Sequence, residues 1–226
     1  MGEFKGFGKQ ALGFFKALKF HQSKEWFEEN RGLYESDVLG PFTALLDDLT
    51  AEFAKRKVPL KANGRKSIFR IHRDVRFSKD KSPYKSHAGA VMTRSGAKGE
   101  QGLLYVHIDP EGCFVAAGFH MLDGPQLAAM REAIRRKPAQ FERMVKALEK
   151  AKLAFSTSDG FQMTRLPRGY EEFKDSSLSG AFRLKSFIVE EPVKDSHIVS
   201  PKLVGMAADF AERAMPLLQY GWQALG

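Results

Sequence analysis

The sequence predicts an α+β protein, a mainly antiparallel sheet covered by helices and formed as a single domain over residues 1–226. Three observations carry the prediction. Apolar residues recur at spacings of three and four through the first quarter of the chain and change to alternation in its middle. The clearest hairpin pairs Leu103–Ile108 with Cys113–Met121 through Asp109-Pro110-Glu111-Gly112. The blocks follow the order helices, strands, helices, strand, helix, which separates helical from sheet regions instead of alternating them.

N-terminal helices are expected over 8–57. The first, Gly8 to Phe20, turns Leu12, Phe15 and Leu18 (or Phe14) inward. Ser23 is placed as the N-cap of a second helix, with Glu25 favouring its dipole and Trp26, Phe27 and Tyr34 on its apolar side. Gly40-Pro41 interrupts the pattern, and Pro41 suits the first turn of a fresh helix. Val38, Phe42, Leu45, Leu49 and Phe53 then keep helical spacing to about Lys57, where Val58-Pro59 stops it. A basic strand-loop fills 65–98, opened by the Asn63-Gly64 turn. Within it Arg70 to Phe77 alternates as a strand, with Arg70, His72, Asp74 and Arg76 on one face and Ile71, Val75 and Phe77 on the other. Ser78 to Ser86 reads as loop, since Pro83 excludes a central strand position. Ala88 to Thr93 is a second strand.

The hairpin over 103–121 follows, then helices over 124–150 that start at Gly124-Pro125 and Pro138. Phe161 to Leu166 is a weak strand and 182–189 a stronger one. A C-terminal helix over 201–224 carries Leu203, Met206, Phe210 and Leu217 inward, with Pro216 inside it.

Composition narrows the classes. The lone Cys113 excludes an intramolecular disulfide and fits a reducing compartment. No apolar run approaches the roughly 18 residues of a membrane span, and the N-terminal apolar residues are broken by Lys9, Lys16 and Lys19. The expectation is a soluble, cytoplasmic protein without a membrane partner. The formal charge is +9, and it is concentrated. Residues 55–98 hold 14 Lys or Arg against two acids, a net of +12, which leaves −3 for the rest. A localised excess of that kind attracts polyanions or phosphorylated ligands.

The stretch Ile68 to His87 gathers the candidate site. Arg70 and Arg76, on one strand face, can grip a phosphate or carboxylate as planar forks, with Arg73 a further ligand candidate beside them. Lys79, Lys81 and Lys85 add point charges, and Tyr84 can stack on a base or hydrogen-bond an anion. Lys185 and Arg168 join if their segments reach the same place. His72 and His87 are candidates for general acid or base, with Asp74 to orient one of them. His107 and His120, each flanked by apolar neighbours, are expected to pack within the hairpin. No Cys/His or carboxylate cluster has metal-site spacing, and neither a phosphate-binding loop nor a dinucleotide fingerprint is present. No metal and no cofactor are therefore expected.

The run R-D-V-R-F-S-K-D-K-S-P-Y-K, Arg73 to Lys85, resembles the hallmark of an uncharacterised bacterial and fungal family, domain of unknown function 2461. E-W-F-E-E-N at Glu25 to Asn30, P-R-G-Y at Pro167 to Tyr170 and L-K-S-F at Leu184 to Phe187 extend the resemblance over nearly the whole chain. Tyr170 departs from it, standing where a phenylalanine is expected. The resemblance implies a single domain and names no activity.

Three readings stay open. The first is binding of a phosphate-bearing or other anionic ligand, nucleic acid included, through 68–87. The second is an enzyme on an anionic or phosphorylated small molecule, with His72 or His87 as acid or base. The third makes the motif a structural clasp between sheet and helices in a protein that acts through a protein partner. Convergence of His72, Arg76 and Tyr84 in a deep pocket would mark the enzyme, and complete burial of Arg73 to Arg76 the clasp.

Overall fold

A computed structural model describes residues 3–76 and 80–226. Eight α-helices and four β-strands are formed among them. The sheet is antiparallel with strand order β1-β2-β3-β4, so the α+β class holds. Two compact units share the chain. The first comprises Met1–Glu100, Leu104–Val115 and Pro192–Phe210, and the second Gln101–Leu103, Ala116–Glu191 and Ala211–Gly226.

The first unit starts with α1 (Ala11–Phe20), which buries Ala11, Phe14, Phe15 and Leu18 and leaves Leu12 half-buried. In α2 (Lys24–Leu33) the Ser23 hydroxyl accepts the Trp26 N–H, the cap expected from the sequence. The interruption expected at Gly40-Pro41 is absent. A π turn over Tyr34–Leu39 leads straight into α3 (Gly40–Arg56). Proline cannot donate to the carbonyl four residues back, and a wide turn absorbs that missing bond without breaking the helix. The Asp37 carbonyl instead accepts the Gly8 N–H at 3.0 Å, while the Asp37 carboxylate accepts the Gln10 N–H at 3.1 Å beside the start of α1. Phe42, Leu45, Leu46, Leu49 and Phe53 of α3 are fully buried.

Beyond a 3₁₀ turn at Gly64–Ser67 the described part of the expected strand, 70–76, does not form one. Among the described residues only single bridges occur, Ile68 with Ala90 and His72 with Tyr84. The Arg73 N–H reaches the Pro83 carbonyl and the Lys85 N–H reaches the Ile71 carbonyl, both at 2.8 Å. Pro83 has no N–H to return, so the ladder cannot propagate. Phe77, assigned to that strand, lies outside the described residues. β1 (Ala88–Met92) pairs antiparallel with β2 (Leu103–Ile108), placing Ala88 opposite Ile108 and Gly89 opposite His107. Leu104, Val106 and Ile108 are buried, and Tyr105 and His107 occupy the other, half-buried face of β2.

In the second unit, residues of β3 (Cys113–Phe119) lead to α4 (Gly124–Arg136) and α5 (Pro138–Lys150). Asp123 and Gln126 form a reciprocal capping box at the start of α4. The segment read as a strand from 182 is partly helical: α6 covers Ser179–Arg183 and β4 covers Phe187–Val193. Arg131 of α4 accounts for the delay. Its buried guanidinium donates to the Phe182 carbonyl at 2.9 Å and to the Leu184 carbonyl at 3.3 Å, which removes those acceptors from any ladder. Pro192 is tolerated because β4 is an edge of the sheet. The weak strand at 161–166 reduces to one bridge, Gln162 with Leu184. After the short helix α7 (Asp195–Ile198), α8 (Lys202–Leu225) runs through Pro216. No helix among the described residues is long and apolar enough to cross a membrane.

Candidate functional site

Within the first unit, an open cleft of about 560 Å³ lies among α2, the π turn and the irregular segment 65–72. The residues lining it include Arg31, Arg65, Arg70, Lys85 and Lys98, and none of them is an aspartate or a glutamate. Local structure explains the convergence. Ile68 and Phe69 attach their segment to β1 through the Ile68–Ala90 bridge and the bond from Phe69 N–H to the Gly89 carbonyl, 2.8 Å. Phe69, 37% exposed, projects from that tether. Lys85 Nζ lies 5.6 Å and Lys98 Nζ 5.1 Å from the centre of its ring. The two ammonium groups donate to the carbonyls on either side of Phe69, Lys85 to Arg70 at 3.1 Å and Lys98 to Ile68. Cation–π contact and carbonyl bonds thus hold two flexible lysines against one aromatic side chain.

The cost of gathering these cations shows in their acidity. Burial, then the charges of Arg70, Arg73 and Lys98, lowers the Lys85 pKa below that of a free lysine; burial lowers that of Lys98. A bound anion would relieve both effects. Arg31 is already met by Glu28, at 2.6 Å, and its guanidinium rests 5.2 Å above the Phe27 ring.

The candidates read from the sequence divide into several groups. Arg70, His72 and Lys85 line the cleft. Arg73 is turned to the loop, paired with Asp80 at 3.1 Å and donating to the Tyr84 carbonyl at 3.3 Å. Arg76 closes a two-pronged pair on Asp74, at 3.0 and 2.7 Å. That contact holds the Asp74 carboxyl below its usual range, and Ser82 does the same for Asp80. With both Asp74 oxygens engaged by Arg76, orientation of His72 by Asp74 has no geometric support. Tyr84 is buried with its ring stacked on Phe27 at 4.6 Å, so the stacking surface expected from it is taken. Among the cleft residues the exposed aromatic is Phe69. Lys81 is exposed and donates to the Val75 carbonyl at 2.9 Å, and Lys79 lies outside the described residues. Lys185 and Arg168 belong to the second unit.

Neither mark set by the sequence is met. Arg76 and Tyr84 are not among the cleft residues, and the Arg73 to Arg76 cluster is not buried, the Arg76 side chain being 74% exposed. Arg31, Arg65 and Lys98 were not singled out by sequence. Arg65 and Lys98 lay within the region of excess charge, which was the available signal; Arg31, on α2, gave none.

His87 has a different setting. It precedes β1 and meets His107 of β2 and Asp109 just beyond that strand, with His87 Nδ1 3.9 Å and His107 Nε2 3.5 Å from Asp109 Oδ2.

An α+β scaffold built on a four-stranded antiparallel sheet describes the class. The family model for a conserved hypothetical protein, DUF2461, matches residues 10–220, and the chain belongs to that family. No curated protein and no solved structure matches the chain.

Proposed function

We propose that the cleft of the first unit binds a phosphate-bearing ligand. The observation that carries this reading is the lining itself: Arg31, Arg65, Arg70, Lys85 and Lys98 face one open space with no carboxylate among them. Most clustered cations on a protein surface are interleaved with acids, as Arg56 is with Glu52 and Asp209. Here Glu28 meets Arg31 at 2.6 Å and Asp74 lies 4.0 Å from Arg70, both from outside the lining, and a ligand would add the compensating charge within it. Arginines supply planar forks for phosphate oxygens, and the lysines supply compact charge. Phe69 offers a half-exposed face on which a base or sugar can rest.

The test is a thermal melt and a calorimetric titration with inorganic phosphate, a nucleoside triphosphate and a short single-stranded oligonucleotide. The wild type should melt higher with at least one of them, and Arg65→Ala/Lys98→Ala should lose most of the shift while its ligand-free melt stays close to wild type. A steep fall of oligonucleotide affinity with salt would assign a polyanion, because each neutralised phosphate releases counterions. Tight binding of the triphosphate with a shallow salt slope would assign a small ligand. Indifference of the wild type to all three at low ionic strength would overturn the proposal.

A further inference from the structure

A second candidate site stands on the sheet itself and does not depend on the cleft reading. The pairing of β1 with β2 sets Ala88 opposite Ile108 and Gly89 opposite His107. Continuing that register by one residue brings His87 opposite Asp109. Asp109 directly follows β2, and continued alternation puts it on the same side as His107. Directly opposed side chains have Cβ atoms about 5 Å apart, so the register alone directs two imidazoles and a carboxylate to one point. Their nearest nitrogen and oxygen atoms lie within 4.8 Å of one another.

We propose that His87, His107 and Asp109 bind a divalent transition-metal ion. The ligand set of two imidazoles and one carboxylate suits zinc and its first-row neighbours and leaves coordination positions open. With bonds of about 2.1 Å, neighbouring ligands of a tetrahedral ion stand about 3.4 Å apart. The separations of 3.5 and 3.9 Å to Asp109 Oδ2 need only a small closure.

The surroundings are those of a held site rather than a chance encounter. Asp109 Oδ1 is occupied by the Glu111 N–H at 2.8 Å, which fixes the carboxylate and leaves Oδ2 for the histidines. Tyr105 Oη sits 2.8 Å from His107 Nδ1. When Nδ1–H donates to that oxygen, Nε2 carries the lone pair a metal requires, so Tyr105 acts as a positioning residue. The Phe114 ring stacks on that of His107 at 4.5 Å.

The experiment is a titration of chelator-treated full-length protein with Co²⁺ and with Zn²⁺, followed by calorimetry and by the visible absorption of bound Co²⁺. One equivalent should bind, raise the melting temperature and give the intense bands of a site with four or five ligands. His107→Gln and Asp109→Asn should abolish that equivalent. Tyr105→Phe should weaken it by roughly 10- to 100-fold, the usual effect of losing a partner behind a ligand. His120→Gln, in the second unit, should leave it unchanged. Circular dichroism of the metal-free variants checks that they fold, and Asp109→Asn preserves shape if His107→Gln does not. Absence of uptake by the wild type at micromolar metal overturns the proposal. So does undiminished uptake by a folded Asp109→Asn protein.

Discussion

Gly89 and Tyr105 occupy the same space: a Cβ built on Gly89 would lie 2.3 Å from the Tyr105 hydroxyl oxygen. Tyr105 is opposite Val91 in the β1–β2 register and leans across the gap left by Gly89 to reach His107. The glycine is required by close approach on a strand face, a use that a sequence pattern registers only as a weak β-former. Gly89→Ala should therefore destabilise the protein by about 1–3 kcal/mol, the range for overpacking a filled site. Gly89→Ala/Tyr105→Leu should recover much of the loss in chemical denaturation. Equal instability of the single and double variants would show that the clash is not the cause.

A similar close approach ties α1 to the π turn. A Cβ on Gly8 would come within 2.0 Å of the Asp37 carboxylate. Gly8→Ala should cost about 1–3 kcal/mol, and Asp37→Ala should also destabilise by removing the acceptor of the Gln10 N–H. Because the two residues touch, the double variant should lose less than the sum of the singles, which a double-mutant cycle measures.

Arg131 makes a prediction about the second unit. It is buried without a carboxylate among its described hydrogen-bond partners, which are the Phe182 and Leu184 carbonyls and the Met163 sulfur. Arg131→Met strands two carbonyls and should cost about 1–3 kcal/mol for each that stays dry. Arg131→Lys should fall between wild type and Met, since one ammonium cannot reproduce a planar fork. Denaturant melts of the three proteins, ranked in any other order, would contradict this role.

Lys98 supplies a pH dependence. Burial lowers its pKa, so its charge is lost at a lower pH than that of an exposed lysine. The sign for stability follows: the unfolded chain binds the extra proton between the folded and unfolded values, so this residue's contribution rises as pH climbs through that window. An anion in the cleft favours the charged form and raises the pKa again. At about pH 9, phosphate binding should take up protons, and calorimetry in two buffers of different ionisation enthalpy should show it. Proton release would oppose the assignment of Lys98 to the site. Lys98→Ala should abolish its share of the uptake.

Much of the architecture was legible because it rests on local patterns. The Ser23 cap, the α3 core stripe and the Leu103–Ile108 hairpin strand each follow from spacing within a dozen residues. Local reasoning failed where a distant group decided the outcome. Arg131 drew off the Phe182 and Leu184 carbonyls, and the wide turn at Tyr34–Leu39 absorbed Pro41. In the candidate site, the excess charge of 55–98 was visible, yet the exposed ring belongs to Phe69, for which the sequence gave no expectation, and not to Tyr84. Both are aromatic, and only packing against Phe27 tells which one is turned inward. The proximity of His87 to His107 and Asp109 is a matter of strand register. Linear spacing of ligands, which gave no expectation of a metal, does not report it.

The make-up of the first unit has a consequence for biosynthesis. The Phe7 N–H is bonded to the Ile198 carbonyl at 2.8 Å, and a Cβ on Gly6 would lie 2.3 Å from the Val199 backbone. Residues near Phe7 are thus matched to residues near Ile198, about 190 positions later in the sequence. Such pairings are slow, since chain entropy is spent on loop closure before the contacts form. During synthesis at roughly 5–20 residues per second, the amino-terminal aromatic residues emerge long before the segment 192–210 that completes their unit. For that interval Phe4 and Phe7 lack their final cover, which makes the nascent chain a natural client for whatever shields apolar surface at the ribosome exit.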